Sequence, residues 1–322
     1  MIKKLLKRFS SQNGQAAIII GLMIATLIGA VTYVVDVGSI YEARRTYQTI
    51  ADSSALSGIQ ELPENPSRAI QSAIDYAAMQ GVSLDSSDIT ISSTFVADDT
   101  ITVTASNPQK QLFFGWVFGR NDTPVGADAT AMVGMPAEFL GVVPWGVPEE
   151  EWTPGGNYTL KCGPPGQGGG AQTGNFQALA IGGTGASNYE ENCATGADIP
   201  LHIGDVVDTE PGNMKGPTID GTETRIYDYE DYNFNTFGEL TESVDGGYAL
   251  KRNDSQFVIC PIIPELPAGR DEVELIKFVP FIITQITGSE VIGTFLNKAI
   301  IKYDGEMVGI DDSGIRVIRL IH

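Results

Sequence analysis

The hydrophobic pattern near the N-terminus is an uninterrupted apolar run from Ala16 to Val35. No Asp, Glu, Lys or Arg lies between Phe9 and Val35. Twenty helical residues, at a rise of about 1.5 Å each, cover roughly the 30 Å hydrocarbon core of a bilayer. The run therefore predicts a transmembrane helix over residues 16–35.

The charges on either side of the run indicate its orientation. Asp36 follows the run, and four basic residues precede it: Lys3, Lys4, Lys7 and Arg8. Because basic residues favour the cytoplasmic side, residues 1–15 are predicted to be cytoplasmic and the bulk of the chain extracytoplasmic. We expect a single-pass protein of the cell membrane, with the lipid bilayer as one partner.

Two kinds of processing compete with a retained anchor. A cleaved signal peptide has a shorter apolar core and a small-x-small cleavage site, whereas Ile28-Gly29-Ala30 begins with a bulky residue. Pilin precursors cleaved after a glycine carry a Glu five residues later, but the position five residues after Gly14 is Ile19. The sequence favours retention.

Small residues recur at intervals of four within the run: Ala17, Gly21, Ala25 and Gly29. Residues four apart share one helix face, and small side chains there allow a second helix to approach closely. This spacing predicts a helix-packing face inside the membrane.

The helix is predicted to continue beyond the bilayer to about Leu62, because Pro63 is the first proline after the run. Small and apolar residues repeat there at helical spacing, at Ile40, Tyr47, Ala51, Ser54 and Gly58. A second helix is predicted over Ser67–Met79. Period-two alternation predicts a hairpin of Ile89–Ile91 with Ile101–Thr104, and a strand over Val125–Val133.

These elements predict a small α+β domain over residues 36–135. A link punctuated by proline and glycine, residues 136–148, then leads into a β-rich acidic exterior domain over 149–322. No helix of convincing length is expected in that domain, and Pro280 predicts an edge position or a bend. Its strand candidates are Tyr158–Lys161, Phe176–Ile181, Thr224–Tyr227, Gln256–Ile263, Val273–Thr287, Ala299–Tyr303 and Ile315–Ile321.

Charge narrows the set of partners. Residues 36–322 carry 40 acidic and 16 basic groups, a net charge of −24. Such a surface is repelled by nucleic acid and by anionic headgroups, so no nucleic-acid partner is expected. Asp205, Asp208, Glu210 and Asp220 form a turn-rich acidic stretch that resembles no EF-hand loop. They are weak candidates for a Ca²⁺ site, against the commoner interpretation of solvated acids.

The three cysteines, Cys162, Cys193 and Cys260, lack zinc-site spacing. A disulfide between Cys162 and Cys193 would close a loop of about 30 residues, which is worth about 3–4 kcal/mol in the chain-entropy picture. Three separate buried thiols are the equal alternative.

Catalytic patterns are absent from the sequence. The two histidines, His202 and His322, offer no triad with a G-x-S-x-G serine, and His202 is expected to be a packed or surface imidazole. The glycine-rich run 163–170 is not followed by G-K-[ST], so no phosphate site or cofactor is predicted. The aromatics Phe113, Phe114, Trp116 and Phe118 are predicted to pack in the small domain's core, with a partner surface as the alternative.

Three stretches together resemble the N-terminal region of TadG-like proteins of Flp (tight adherence) pilus systems. They are Gly14-Gln15-Ala16-Ala17, Val35-Asp36-Val37-Gly38-Ser39-Ile40-Tyr41 and Ala51-Asp52-Ser53-Ser54-Ala55-Leu56-Ser57-Gly58. The resemblance covers about the first 60 residues and implies a single-pass envelope protein that helps assemble or anchor adhesive pili. It brings no catalytic residues, and it implies other pilus-assembly or envelope membrane proteins as partners. The alternative function is a ligand-binding or adhesin module tethered by one helix.

Overall fold

The computed structural model describes residues 2–161, 177–227, 235–244, 247–267, 269–287 and 290–321. The chain divides into two compact units. The first comprises Met1–Met132 with Arg319–His322, and the second comprises Val133–Ile318. The predicted α+β class, with a long N-terminal helix and a β-rich C-terminal region, is confirmed.

Two helices lead the first unit. Helix α1 spans Ile2–Gly58 and ends in a 3₁₀ turn at Ile59–Glu61, as the position of Pro63 predicted. Helix α2 spans Pro66–Met79 and also confirms its prediction. Its N-terminus is capped because the Asn65 side chain accepts a hydrogen bond from the N–H of Arg68 at 3.0 Å.

Helices α1 and α2 meet through small residues. Ala51 and Ala55 of α1 are fully buried, as are Ala69, Ala73 and Ala77 of α2. Gly58 lies so close to its neighbours that an added Cβ would stand 2.6 Å from Cδ1 of Ile101 and 2.8 Å from the Ala69 carbonyl oxygen. The face predicted from helical spacing therefore packs on α2 and the sheet.

The sheet of the first unit is a meander of β1 (Ile89–Ser92), β2 (Thr100–Gln111) and β3 (Asp122–Pro136). Ile89 pairs with Val103 in the first antiparallel hairpin, which the alternating pattern predicted. Thr100 pairs with Met132 and Gln111 with Asp122 in the second hairpin. The last residues of β3 belong to the second unit.

The described residues of the second unit form three α-helices and many short strands. In chain order they are β4 (Val147–Pro148), β5 (Asn157–Lys161), β6 (Leu179–Ala180), α3 (Ala186–Thr195), β7 (Val206–Thr209), α4 (Lys215–Tyr227), α5 (Phe237–Leu240), β8 (Thr241–Val244), β9 (Gly247–Leu250), β10 (Phe257–Ile263), β11 (Glu272–Glu274), β12 (Lys277–Thr287), β13 (Glu290–Phe295), β14 (Ala299–Ile300), β15 (Met307–Val308) and β16 (Ile315–Ile321). Among the described residues, the largest sheet of this unit has the order β4-β10-β12-β13-β5. Phe281 and Phe295 meet edge to face within it, with ring centroids 4.9 Å apart.

The expectation that this part of the chain has no helix of convincing length is wrong, because α3 spans 10 residues and α4 spans 13. Helix α4 includes Thr224–Tyr227, so the strand predicted there is wrong. Helix α3 packs against α4 at Gly221, where an added Cβ would stand 2.4 Å from the Glu190 carbonyl oxygen. This close contact stabilises helices that their own sequences favour only weakly.

Residues 136–148, predicted as a link, contribute buried side chains to the second unit, including Val143, Trp145 and Val147. The Trp145 indole N–H donates to the Tyr189 hydroxyl at 3.0 Å.

Pro280 lies in β12, which is paired on both sides, so the predicted edge position is wrong. Ile259 of β10 pairs with Pro280, and its carbonyl oxygen accepts a hydrogen bond from the N–H of Val143 on the side away from β12. Ile259 and Pro280 are therefore a pair that exchanges no hydrogen bonds, so the proline removes no ladder bond between β10 and β12.

Candidate membrane anchor and its hairpin contact

The apolar part of α1 is exposed over its whole length. From Ala16 onward the described side chains are open to solvent on every face until Thr32, with Gly29 half-buried. Within the described residues, α1 is the one helix that is long and apolar enough to cross a membrane. A helical segment that is apolar all round and exposed on every face is suited to lipid.

The predicted packing face is open within this chain. A Cβ added at Gly21 or at Gly29 would meet no atom within 4 Å. Ala17 and Ala25 on the same face are exposed. The four small residues are therefore available to a helix from another subunit, since no residue that the structure describes occupies their face.

Burial begins at the end of the apolar run. Thr32 and Asp36 are buried, and they lie one helical turn apart on the same face. The Asp36 carboxylate accepts hydrogen bonds from the backbone N–H of Phe113 at 2.8 Å and of Phe114 at 3.2 Å. Asp36 thus joins the end of the span to the tip of the β2–β3 hairpin.

Further contacts join α1 to the same hairpin. The Gln48 side chain donates to the Asp128 carbonyl oxygen at 3.3 Å, and Gly58 adjoins Ile101. The hairpin therefore runs beside the helix, from Gly58 back to Asp36. This arrangement explains the residue types in the two segments that follow the span: an acid that binds the hairpin tip, then small residues where packing is closest.

The aromatic residues of the hairpin tip are exposed. Phe113 keeps 65% of its surface exposed, Trp116 keeps 66%, and Phe114 is also an exposed residue. The prediction that these side chains pack in the core is wrong for these three, while the side chain of Phe118 lies outside the described part of the chain. Their density in the sequence reflects a surface feature.

The four acidic residues proposed for Ca²⁺ have separate surroundings. Asp205 accepts from the N–H of His202 at 2.7 Å, and Glu210 is buried, accepting from the N–H of Gly185 and pairing with Arg270 at 3.6 Å. Asp208 lies in β7 and Asp220 in α4. Across the described ranges, no group of three or more His, Cys, Asp or Glu side chains is placed to hold a metal ion.

The remaining candidates are placed as follows. His202 is an exposed side chain whose Nδ1 lies 3.5 Å from a carboxylate oxygen of Asp205. Cys193 and Cys260 are buried, and burial raises the pKa of the Cys260 thiol well above its ordinary value. Cys162 and the glycine-rich run 163–170 lie outside the described residues, so the disulfide stays a prediction.

The comparison with known families agrees with these elements. Residues 14–61 match the family described as "Putative Flp pilus-assembly TadE/G-like". The match begins just before the apolar run and ends with the 3₁₀ turn after α1. No curated protein and no solved structure matches the chain. The matched residues therefore comprise the membrane-length apolar part of α1 together with its continuation, which packs on α2 and the sheet.

Proposed function

We propose that this protein is a single-pass membrane component that takes part in assembling or anchoring Flp-type pili, without enzymatic activity. The observation that carries the proposal is the coincidence of the family match over 14–61 with one exposed, apolar, membrane-length helix. The family supplies the pilus role, and the exposed helix supports anchoring in the bilayer.

The proposed orientation places the N-terminus in the cytoplasm and residues 36–322 outside. Lys3, Lys4, Lys7 and Arg8 support this orientation because basic residues next to a span are retained on the cytoplasmic side. The acidic character of the remainder favours solubility in an exterior compartment.

The proposed partners are other membrane subunits of the pilus machinery. Gly21 and Gly29 support this proposal because they leave a face of the span on which a second helix can pack. The protein would then act by holding its exterior units next to the assembly site.

The test is deletion of the gene in its native host, followed by counting surface pili in electron micrographs. We expect pili to be lost and to return on complementation with the full chain. Complementation with Ile24→Lys/Leu27→Lys, which places charge inside the span, should fail. The matched control Thr46→Lys/Thr49→Lys adds the same charge at exposed positions beyond the span and should restore pili. Normal piliation of the deletion strain would overturn the proposal.

A further inference from the structure

The tip of the β2–β3 hairpin carries an aromatic surface. The turn of the hairpin joins its last paired residues, Gln111 and Asp122. This turn contains Phe113, Phe114 and Trp116, and all three are exposed. Large exposed aromatics close together on a soluble surface mark a site of contact with something else.

The tip has a defined backbone. The N–H of Leu112 donates to the Asn121 carbonyl oxygen at 2.9 Å, and the N–H of Arg120 donates to that of Gly115 at 3.0 Å. Gly115 is buried, and an added Cβ would stand 2.3 Å from the Arg120 carbonyl oxygen. The aromatics are therefore displayed on a tightly closed turn.

The position of the tip along α1 is fixed by Asp36. Asp36 immediately follows the predicted span, and its carboxylate holds the backbone of Phe113 and Phe114. Thr32, which lies inside the span, is buried on the same face. The hairpin tip thus lies at the level where α1 leaves the bilayer.

The charge around the tip differs from that of the rest of the exterior. Lys110, which is half-buried, and Arg120, which is exposed, flank the aromatic turn. With Asp36 bonded to the turn and Asp122 exposed beside it, the local charges are balanced, although residues 36–322 are strongly acidic overall. Charges at a surface act over about 10 Å or less at physiological salt, so these local charges, more than the net charge of the whole exterior, act on what the tip contacts. Exposed Trp and Phe with cationic side chains next to them are suited to the headgroup layer above acyl chains.

We propose that the hairpin tip is a second membrane contact, in which Trp116 and Phe113 enter the boundary between headgroups and acyl chains and Lys110 and Arg120 face the phosphates. Tryptophan suits this boundary because its ring is largely apolar and its N–H needs a polar partner. The contact fixes the rotation and tilt of α1 relative to the bilayer. It rests on the anchoring proposed above.

The test uses the full chain in bilayer nanodiscs of phosphatidylcholine and phosphatidylglycerol, with bromine on the acyl chains either near the carbonyl end or near the methyl end. Emission from Trp116 is obtained by subtracting the spectrum of Trp116→Phe from that of the wild type, because Trp145 and Trp152 are common to both. We expect strong quenching by the bromines near the carbonyl end, weaker quenching by those near the methyl end, and a blue-shifted difference spectrum.

The matched control moves the same reporter along the unit. Met79 is 82% exposed at the end of α2, and its neighbour Gln80 bonds Ser53, which lies about 25 Å along α1 from Asp36. Emission from Met79→Trp in the Trp116→Phe background should not be quenched. Lys110→Gln/Arg120→Gln should remove any dependence of the Trp116 quenching on phosphatidylglycerol.

The outcomes separate this inference from the anchoring itself. If the chain does not associate with nanodiscs, the proposed anchoring fails. If it associates but Trp116 is unquenched and emits as in water, the second contact is refuted while the anchor stands. Quenching of Trp116 that matches that of the Met79 reporter also refutes it. Trp116 shielded from both bromines and from aqueous quenchers would indicate that a protein partner covers the tip instead.

Discussion

The Asp36 carboxylate accepts a 2.8 Å hydrogen bond from the backbone N–H of Phe113, 77 positions later in the sequence. One residue therefore ends the membrane-length apolar run and also binds the tip of a hairpin. Because a carboxylate makes strong hydrogen bonds to backbone N–H groups, the contact is well suited to hold a long helix against a sheet where its apolar run ends.

Replacing Asp36 with Ala should release the hairpin tip. The N–H groups of Phe113 and Phe114 would lose their acceptor, which costs about 1–3 kcal/mol when such groups stay buried. Hydrogen exchange of the full chain in detergent should show faster exchange over residues 112–121. Glu42→Ala, at an exposed position of the same helix, should leave this exchange unchanged. Equal protection in Asp36→Ala and wild type would contradict the contact.

Gly58 and Gly38 make a matched pair of helix glycines. Gly58→Ala places a methyl group 2.6 Å from Ile101 and 2.8 Å from the backbone of Ala69, so unfolding should become easier by about 1–3 kcal/mol. Gly38→Ala meets nothing within 4 Å and should be neutral or stabilising by up to about 1 kcal/mol. Denaturant unfolding of both variants in detergent checks the difference, and a Gly58→Ala protein as stable as Gly38→Ala would disprove the close packing.

Asp99 should make stability depend on acid pH. Burial alone would raise the pKa of this carboxyl, but N–H bonds from Val96, Phe95 and Thr94 and the Thr100 hydroxyl lower it below its ordinary value. A folded pKa below the unfolded one adds stability that is present above the unfolded value, about 3.9 for Asp. That stability is lost as pH falls through the folded pKa.

The measurement is the melting temperature of wild type and of Asp99→Asn between neutral and acid pH. The wild type should be the more stable at neutral pH, and the difference should shrink below about pH 4. Asp98→Asn leaves the N–H bonds to Asp99 in place and should keep the wild-type trend. A difference that is constant with pH would show that the charge on Asp99 contributes nothing.

The open face of the span predicts an association phenotype. Gly21→Leu/Gly29→Leu should fit the chain itself, because no atom lies within 4 Å of either site, yet should weaken co-purification with other membrane subunits. Thr26→Leu/Ala30→Leu enlarges exposed residues on a face rotated by about 120° and should leave co-purification with those subunits unchanged. If the two double variants co-purify equally well with other membrane subunits, the small-residue face has no role in this association.

Local pattern predicted the first unit well because its signals are strong and agree. The absence of proline before Pro63 and the apolar run define α1, and the alternation around Ile89 and Ile101 defines the first hairpin. Helix α4 escaped prediction because Gly216, Pro217 and Gly221 are poor helix formers, and its contact with α3 at Glu190 comes from distant sequence.

The same limit applies to the site. The sequence of α1 predicted the span and its small-residue face, but not the function of Asp36, whose partners lie 77 and 78 positions away. The density of Phe113, Phe114 and Trp116 in the sequence favours a core, with a contact surface as the alternative. Only the three-dimensional position of the hairpin tip beside Asp36 distinguishes the two.

The central claim is that α1 is retained in the mature protein as its membrane anchor. Its most direct test is alkaline carbonate washing of membranes from the native host, with peptide mass spectrometry of the pellet and of the released protein. The account predicts that the chain stays in the pellet and that peptides from its first 35 residues are recovered with it. Release of a soluble chain that begins beyond residue 30 would contradict it.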